Sequence, residues 1–173
     1  MLKRTLYILL SISSLYAACD SGDKTKIATP ESEGPIQEAD NVELLHSDST
    51  RVRVLLKAPN QLDFKYGDQE FPEGVDLTFF EKDGSESAHL LGNYGHYTKK
   101  ENLYVVTGDV SLESLTQENT LYTQRLYWSP QREEIYTEDS VRVVTATEII
   151  EGIGLTAKQD FSTYEILNPT GFF

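Results

Sequence analysis

The chain has 173 residues, with 15 Lys and Arg against 28 Asp and Glu, a net charge of −13. An acid excess with no basic stripe argues against nucleic acid and against charge-driven adhesion to anionic head groups, so any lipid held here is gripped by its tails. A single cysteine excludes an internal disulfide.

The first elements form a leader. Lys3 and Arg4 precede an apolar run from Leu6 to Leu15, about ten residues, which is the length of a secretory signal and too short for a membrane span. The run ends in Ala17, Ala18 and the only cysteine, Cys19. Two small residues before a Cys form the lipobox of bacterial lipoproteins, in which the sulfur receives a diacylglycerol; Tyr16 departs from the pattern, where Leu is usual. A cleaved signal with an incidental Cys19 is the alternative. Each buried methylene contributes about 0.8 kcal/mol, so two or three acyl chains anchor a domain durably. The expected organisation is a lipoprotein signal peptide over 1–18, a flexible tether over 19–45 and a β-domain over 46–173. The tether assignment rests on Ser, Pro, Glu, Asp and Gly in "DSGDKTKIATPESEGPIQEADNVELL". The remainder, roughly 125 residues, suits one domain.

From Thr50 onward the apolar residues alternate, which predicts strands. "RVRVLLKA" places Val52, Val54 and Leu56 on one face, with Arg51 and Arg53 opposite. "GVDLTFFE" does the same with Val75, Leu77 and Phe79. "YVVTGDVSL" aligns Tyr104, Val106, Val110 and Leu112; "QRLYWS" aligns Leu126 and Trp128; "IYTEDSVRVV" aligns Ile135, Val141 and Val143. The clusters "FPEG", "KDGS", "TKKEN" and "SPQRE" between them read as turns. Short strands at this spacing predict an all-β antiparallel sandwich or barrel, and no segment of the folded part reads as a helix.

An internal repeat runs through this pattern. "GHYTKKENLYVVTGDVSL" superposes without gaps on "LYWSPQREEIYTEDSVRV", setting His96 on Tyr127, Tyr104 on Ile135, Gly108 on Asp139 and Leu112 on Val143. Each copy is a strand, a charged turn and a second strand. A fainter third copy starts at "GIGLTAKQDFSTYEIL", with "TAKQD" as its turn. Stacked hairpins of this kind make a continuous sheet surface, although any meander shows some similarity of this sort.

The tether, the strand "RVRVLLKAPN", the segment "LYVVTGDVSLES", the pair "LYTQRLYWSPQREEIYT" and the closing "EGIGLTAKQDFSTYEI" together resemble the LptC family of lipopolysaccharide-export proteins, within the LptA/OstA-like superfamily. The lipoprotein anchor is similar to the form found in Bacteroidetes-type bacteria; better-known members instead span the inner membrane with an uncleaved helix. The resemblance implies an open, twisted β-jellyroll of antiparallel strands with OstA-like hairpin repeats. It also implies a groove for lipopolysaccharide acyl chains, lined by Val52, Val54, Leu56, Leu77, Phe79, Tyr104, Val106, Val110, Leu112, Leu126, Trp128, Ile135, Val141 and Val143, although any β-domain buries such residues. Family members receive lipopolysaccharide from an inner-membrane ABC transporter and pass it to an LptA-like bridge protein, using their sheet edges. Here those edges would be Arg51 to Leu56 and Tyr164 to Phe173. Gly152, Gly154, Tyr164 and Ile166 would form the partner interface, with a simple bulge as the other account of the glycines. The resulting expectation is a periplasmic protein, lipid-anchored to the inner membrane, with the outer membrane as the alternative.

No phosphate loop or nucleophile elbow is present, and His46, His89 and His96 lack metal-ligand spacing. The chain therefore reads as a non-enzyme without cofactor or metal. An LptA-like lipid shuttle and a structural or glycan-binding surface lipoprotein stay open as alternatives.

Overall fold

A computed structural model of the chain describes residues 34–48 and 50–170. The expected signal, Cys19 and most of the tether lie outside them. Among the described residues there is no helix, and so none that could cross a membrane. Eleven strands form one antiparallel sheet: β1 (Gln37–Asp48), β2 (Arg51–Asp63), β3 (Gln69–Phe71), β4 (Val75–Phe80), β5 (Glu86–Gly92), β6 (Tyr94–Thr98), β7 (Leu103–Ser114), β8 (Asn119–Ser129), β9 (Glu134–Val144), β10 (Ile149–Lys158) and β11 (Tyr164–Thr170).

The sheet forks and folds back on itself. Residues Val54–Lys57 of β2 pair with β4, while Leu62 and Asp63 pair with β3. The same happens at β7, whose first half pairs with β6 and whose second half pairs with β5. Since β4 pairs with β5, and β3 with β6, two layers result: a front layer carrying β4–β5 and a back layer carrying β3–β6. Strands β8, β9 and β10 follow β7 from one layer to the other, and β1 follows β2. No pairing joins β1 to β11, so the jellyroll stays open between these two strands.

The bends have a chemical cause. The ladder registers slip at Thr107/Val110, at Tyr122/Tyr127 and at Ile153/Leu155, so bulges lie side by side across β7 to β10. Gly108, Asp109 and Gly154 take φ values of 79°, 48° and 79° there, where glycine carries no penalty. A bulge strands backbone carbonyls, and a buried threonine answers: Thr123 Oγ1 donates to Ser140 O at 3.0 Å and, more weakly, to Arg125 O at 3.4 Å.

The predicted hairpin repeat is present in the turns. Asn102 and Glu133, superposed by the repeat, both lie at positive φ, 48° and 51°. Each closes its turn by donating its N–H to the carbonyl three residues back, on Lys99 and Pro130. Phe161 does the same onto Lys158 with φ 51°, so the third turn is Lys158–Phe161, slightly later than "TAKQD".

Two expectations about the strands differ from the structure. The folded part starts before residue 46, because β1 begins at Gln37 and pairs along the whole of β2. Its Glu38, Asp40, Glu43 and Asp48 make it resemble a tether by composition and mask the alternation of Val42, Leu44 and His46. Strand β1 is consequently the N-terminal edge, and Arg51–Leu56 lies inside the sheet. The second difference is Val52, which is 38% exposed whereas Val54 is 1% exposed. A register slip between His46 and Ser47 sets Val52 opposite Ser47 and Val54 opposite His46, so an extra β2 residue intervenes and turns Val52 outward.

Candidate functional site

The space between the layers is where the alternating apolar side chains meet. Val54, Leu56, Leu77 and Phe79 point into it from the front, and Tyr104, Val106, Leu126, Trp128 and Ile135 from the back. Beyond the bulges, Val110, Leu112, Val141 and Val143 continue the same lining. Of the residues expected to line a groove, all but Val52 belong to this one buried cluster. Together with Ala58, Ala88 and Ala157, the larger Phe71, Val75, Leu90, Leu121, Leu155 and Phe161 complete it. Burial of a side chain of this size stabilises by about 1.5–3 kcal/mol.

The interior is filled by these side chains themselves. Phe79 meets Trp128 edge-on with ring centres 5.5 Å apart, and Tyr104 stacks on Trp128 at 4.8 Å. Tyr97 lies against the other side of Tyr104 at 4.5 Å. The slot expected to be open is therefore closed in this structure, with an apolar seam in its place. Clefts outside the seam reach residues of the cluster. One of about 650 Å³ touches Ala58 and Val75, and another of about 750 Å³ touches Val110 and Val141.

The ring nitrogens and the phenol hydroxyl that enter the seam are paired there. Trp128 Nε1 donates to Gln159 Oε1 at 3.1 Å, both groups being buried. His46 of β1 lies edge-on to both Tyr104 and Trp128, and its Nε2 is 2.8 Å from the Tyr104 hydroxyl. Burial holds the His46 pKa below the ordinary histidine value. Burial, and after it the neighbouring Tyr97, push the Tyr104 hydroxyl far above the ordinary tyrosine value. The pair is thus a neutral imidazole and an intact phenol at neutral pH. Nearby, the Arg53 guanidinium reaches Glu133 at 3.4 Å across the layers.

His46, Gln159, Arg53 and Glu133 have no signature in the sequence. Only the step Val42, Leu44, His46 hints that His46 faces inward. The Gln159 contact spans 31 residues, beyond any local pattern.

The C-terminal strands place the remaining residues. Gly152 and Gly154 lie on β10 beneath β11, and Tyr164 and Ile166 pack on the cluster from β11. A Cβ on Gly152 would run into Ile166 Cγ2 and come within 2.8 Å of the Asn168 carbonyl oxygen, so glycine lets β11 approach. Gly154 sits at the bulge. Exposed Ile153 and Leu167 stand beside the unpaired edge of β11. Among the described residues, no group of His, Cys, Asp and Glu is arranged to hold a metal ion.

A family model described as "Lipopolysaccharide-assembly, LptC-related" matches residues 6–170. No curated protein matches the chain.

Proposed function

The chain belongs to the lipopolysaccharide-assembly, LptC-related family, which makes it a component of lipopolysaccharide transport, and we propose that its apolar seam is the path along which the acyl chains travel. The observation that carries this reading is the continuity of the seam: Val54, Phe79, Trp128, Ile135 and Val143 join in one cluster lined by both layers. Between β1 and β11 no strand pairing shuts it. An acyl chain leaving water for such surroundings gains roughly 25 cal/mol per Å². Transfer between similar interiors is nearly neutral, so no chemistry is required of this subunit and ATP hydrolysis elsewhere sets the direction.

In this reading lipopolysaccharide arrives from an inner-membrane ABC transporter at the β1 edge and leaves for an LptA-like bridge protein at the β11 edge. Both edges carry unpaired backbone groups on which a partner strand can add. Ile153 and Leu167 beside the β11 edge are the kind of apolar surface such a contact buries. Cys19 carries the lipid anchor, residues beyond it form the tether, and the domain is held in the periplasm at the inner membrane.

Photocrosslinking in cells tests the transport reading. A photoreactive residue at Phe79, Val106 or Trp128 should capture lipopolysaccharide, and one at exposed Tyr66 or Tyr122 should not. Equal capture at both sets, or none at the interior set, refutes it. Cys19→Ser should release the protein from membranes into the soluble fraction.

A further inference from the structure

The ties between the two layers gather at one rim of the seam. His46, Arg53 and Phe79 belong to the front layer, and Tyr104, Trp128 and Glu133 to the back. They meet through the 2.8 Å hydrogen bond between His46 and Tyr104, the 3.4 Å contact between Arg53 and Glu133, and the edge-on packing of Phe79 on Trp128. Arg53 Nε is buried there without a hydrogen-bond partner. The guanidinium has thus surrendered water on one side and is held by a carboxylate on the other. The strand that supplies His46 is the least anchored part of this rim: β1 has no fully buried residue and pairs with β2 alone.

Space at the rim sets the requirement for entry. A methylene sits about 4 Å from each neighbouring carbon, so an alkyl chain between two rings needs roughly 8 Å from one to the other. Phe79 and Trp128 offer 5.5 Å between ring centres. The layers must part by about 2 Å or more to admit a chain, and a hydrogen bond stretched by that much is lost. Both polar ties span the layers, so both must open when a chain enters. Resting on the transport reading above, we propose that His46–Tyr104 and Arg53–Glu133 form a latch that holds the seam shut without lipid and is released as an acyl chain enters. Sealing in this way keeps an apolar interior from water and from indiscriminate association while empty. Each tie alone biases the closed state only a few-fold, so acyl burial overcomes it.

The latch makes a kinetic prediction. A tie formed in the empty state and broken in the loaded state limits how much protein is competent to bind. Its removal speeds association and tightens binding by one common factor, with dissociation unchanged. The test uses the full chain and lipopolysaccharide bearing a fluorescent acyl label, followed by rapid mixing. Tyr104→Phe keeps the ring and removes the hydroxyl, and should raise the association rate and the affinity about five-fold. Glu133→Gln, on an exposed turn, should raise both about two-fold. Should Tyr104→Phe fail to fold, Glu133→Gln carries the test. Wild-type association rates in the folded variants, with the label still bound, overturn the latch and leave the transport reading intact. Failure of the wild-type chain to take up the label at all overturns the transport reading, and the latch with it.

Discussion

The pair formed by Trp128 and Gln159 gives the most direct check on how the seam is built. Trp128 is the only tryptophan of the chain and is fully buried, while Gln159 is 7% exposed and accepts from its indole. Replacing Trp128 by Phe removes indole volume and leaves Gln159 Oε1 buried without a donor. The stranded acceptor costs about 1–3 kcal/mol, and with the volume loss the total is about 2–4 kcal/mol. A domain of this size holds about 5–15 kcal/mol of stability, so the variant still folds. Gln159→Leu alone strands the indole N–H and costs about 1–3 kcal/mol. In the double variant neither polar group remains, so its loss should fall short of the sum by about 1–2 kcal/mol. Urea unfolding followed by far-ultraviolet circular dichroism measures all three variants, fluorescence being unusable once the tryptophan is gone. Additivity within 0.5 kcal/mol would refute the argument, as would a changed denaturant slope, which signals an altered unfolded state.

Other residues give independent checks. Gly152→Ala should release the end of β11, because the new Cβ has the Asn168 backbone in its way and only exposed residues beyond it. Hydrogen exchange should then quicken in 168–170 while β7 and β8 keep wild-type protection. Gly154→Ala adds backbone strain at φ 79° and should lower stability by about 1–2 kcal/mol, seen as a lower urea midpoint. Glu118→Gly should raise stability by about 0.5 kcal/mol, seen as a higher urea midpoint, since Glu118 takes φ 55° in an exposed turn without using its side chain in the core. His46 has a folded pKa below its unfolded value, so the unfolded chain takes up its proton first as the pH falls. Stability from this group is present above about pH 6.5 and is lost progressively below it. Thermal melts between pH 7.5 and 5 should therefore fall more steeply for wild type than for His46→Gln, and parallel curves would contradict the assignment.

How much of this was legible beforehand depended on the range of the interaction. Alternation is a local property, so β2, β4, β7, β8 and β9 could be read from Val54, Leu77, Tyr104, Trp128 and Val143. The repeat was legible because the turn chemistry recurs, with Asn102 and Glu133 in one backbone conformation. Strand β1 was hidden, since it depends on β2 for every backbone partner and four of its twelve residues are acidic. Val52 was misplaced because a bulge reverses facing without any change in the residue pattern. Alternation also cannot distinguish a filled interior from an open slot, for both ask for an apolar residue at every second position. The difference lies in contacts such as His46 with Tyr104, 58 residues apart in sequence.

The bend across β7 to β10 explains why one sequence pattern serves both layers. The interior lies on the concave side of the bend, so β7 keeps one parity inward along its whole length: Tyr104, Val106, Val110 and Leu112 all face the cluster. Strand β8 changes parity at its slip, burying Leu121 and Thr123 on one side of it and Leu126 and Trp128 on the other, so both halves face inward. Neighbouring strands must slip at the same level or their ladders would part. Gly108, the Thr123 hydroxyl bonded to Ser140 O, and Gly154 accordingly fall in one band across the sheet. That band is stiffened by hydrogen bonds, whereas the opposite rim is joined by single side-chain contacts through His46 and Arg53. Parting the layers at that rim breaks two polar ties and a few ring contacts; parting them at the bend would tear several ladders at once. The fold therefore has one side on which it can open while keeping its strands paired.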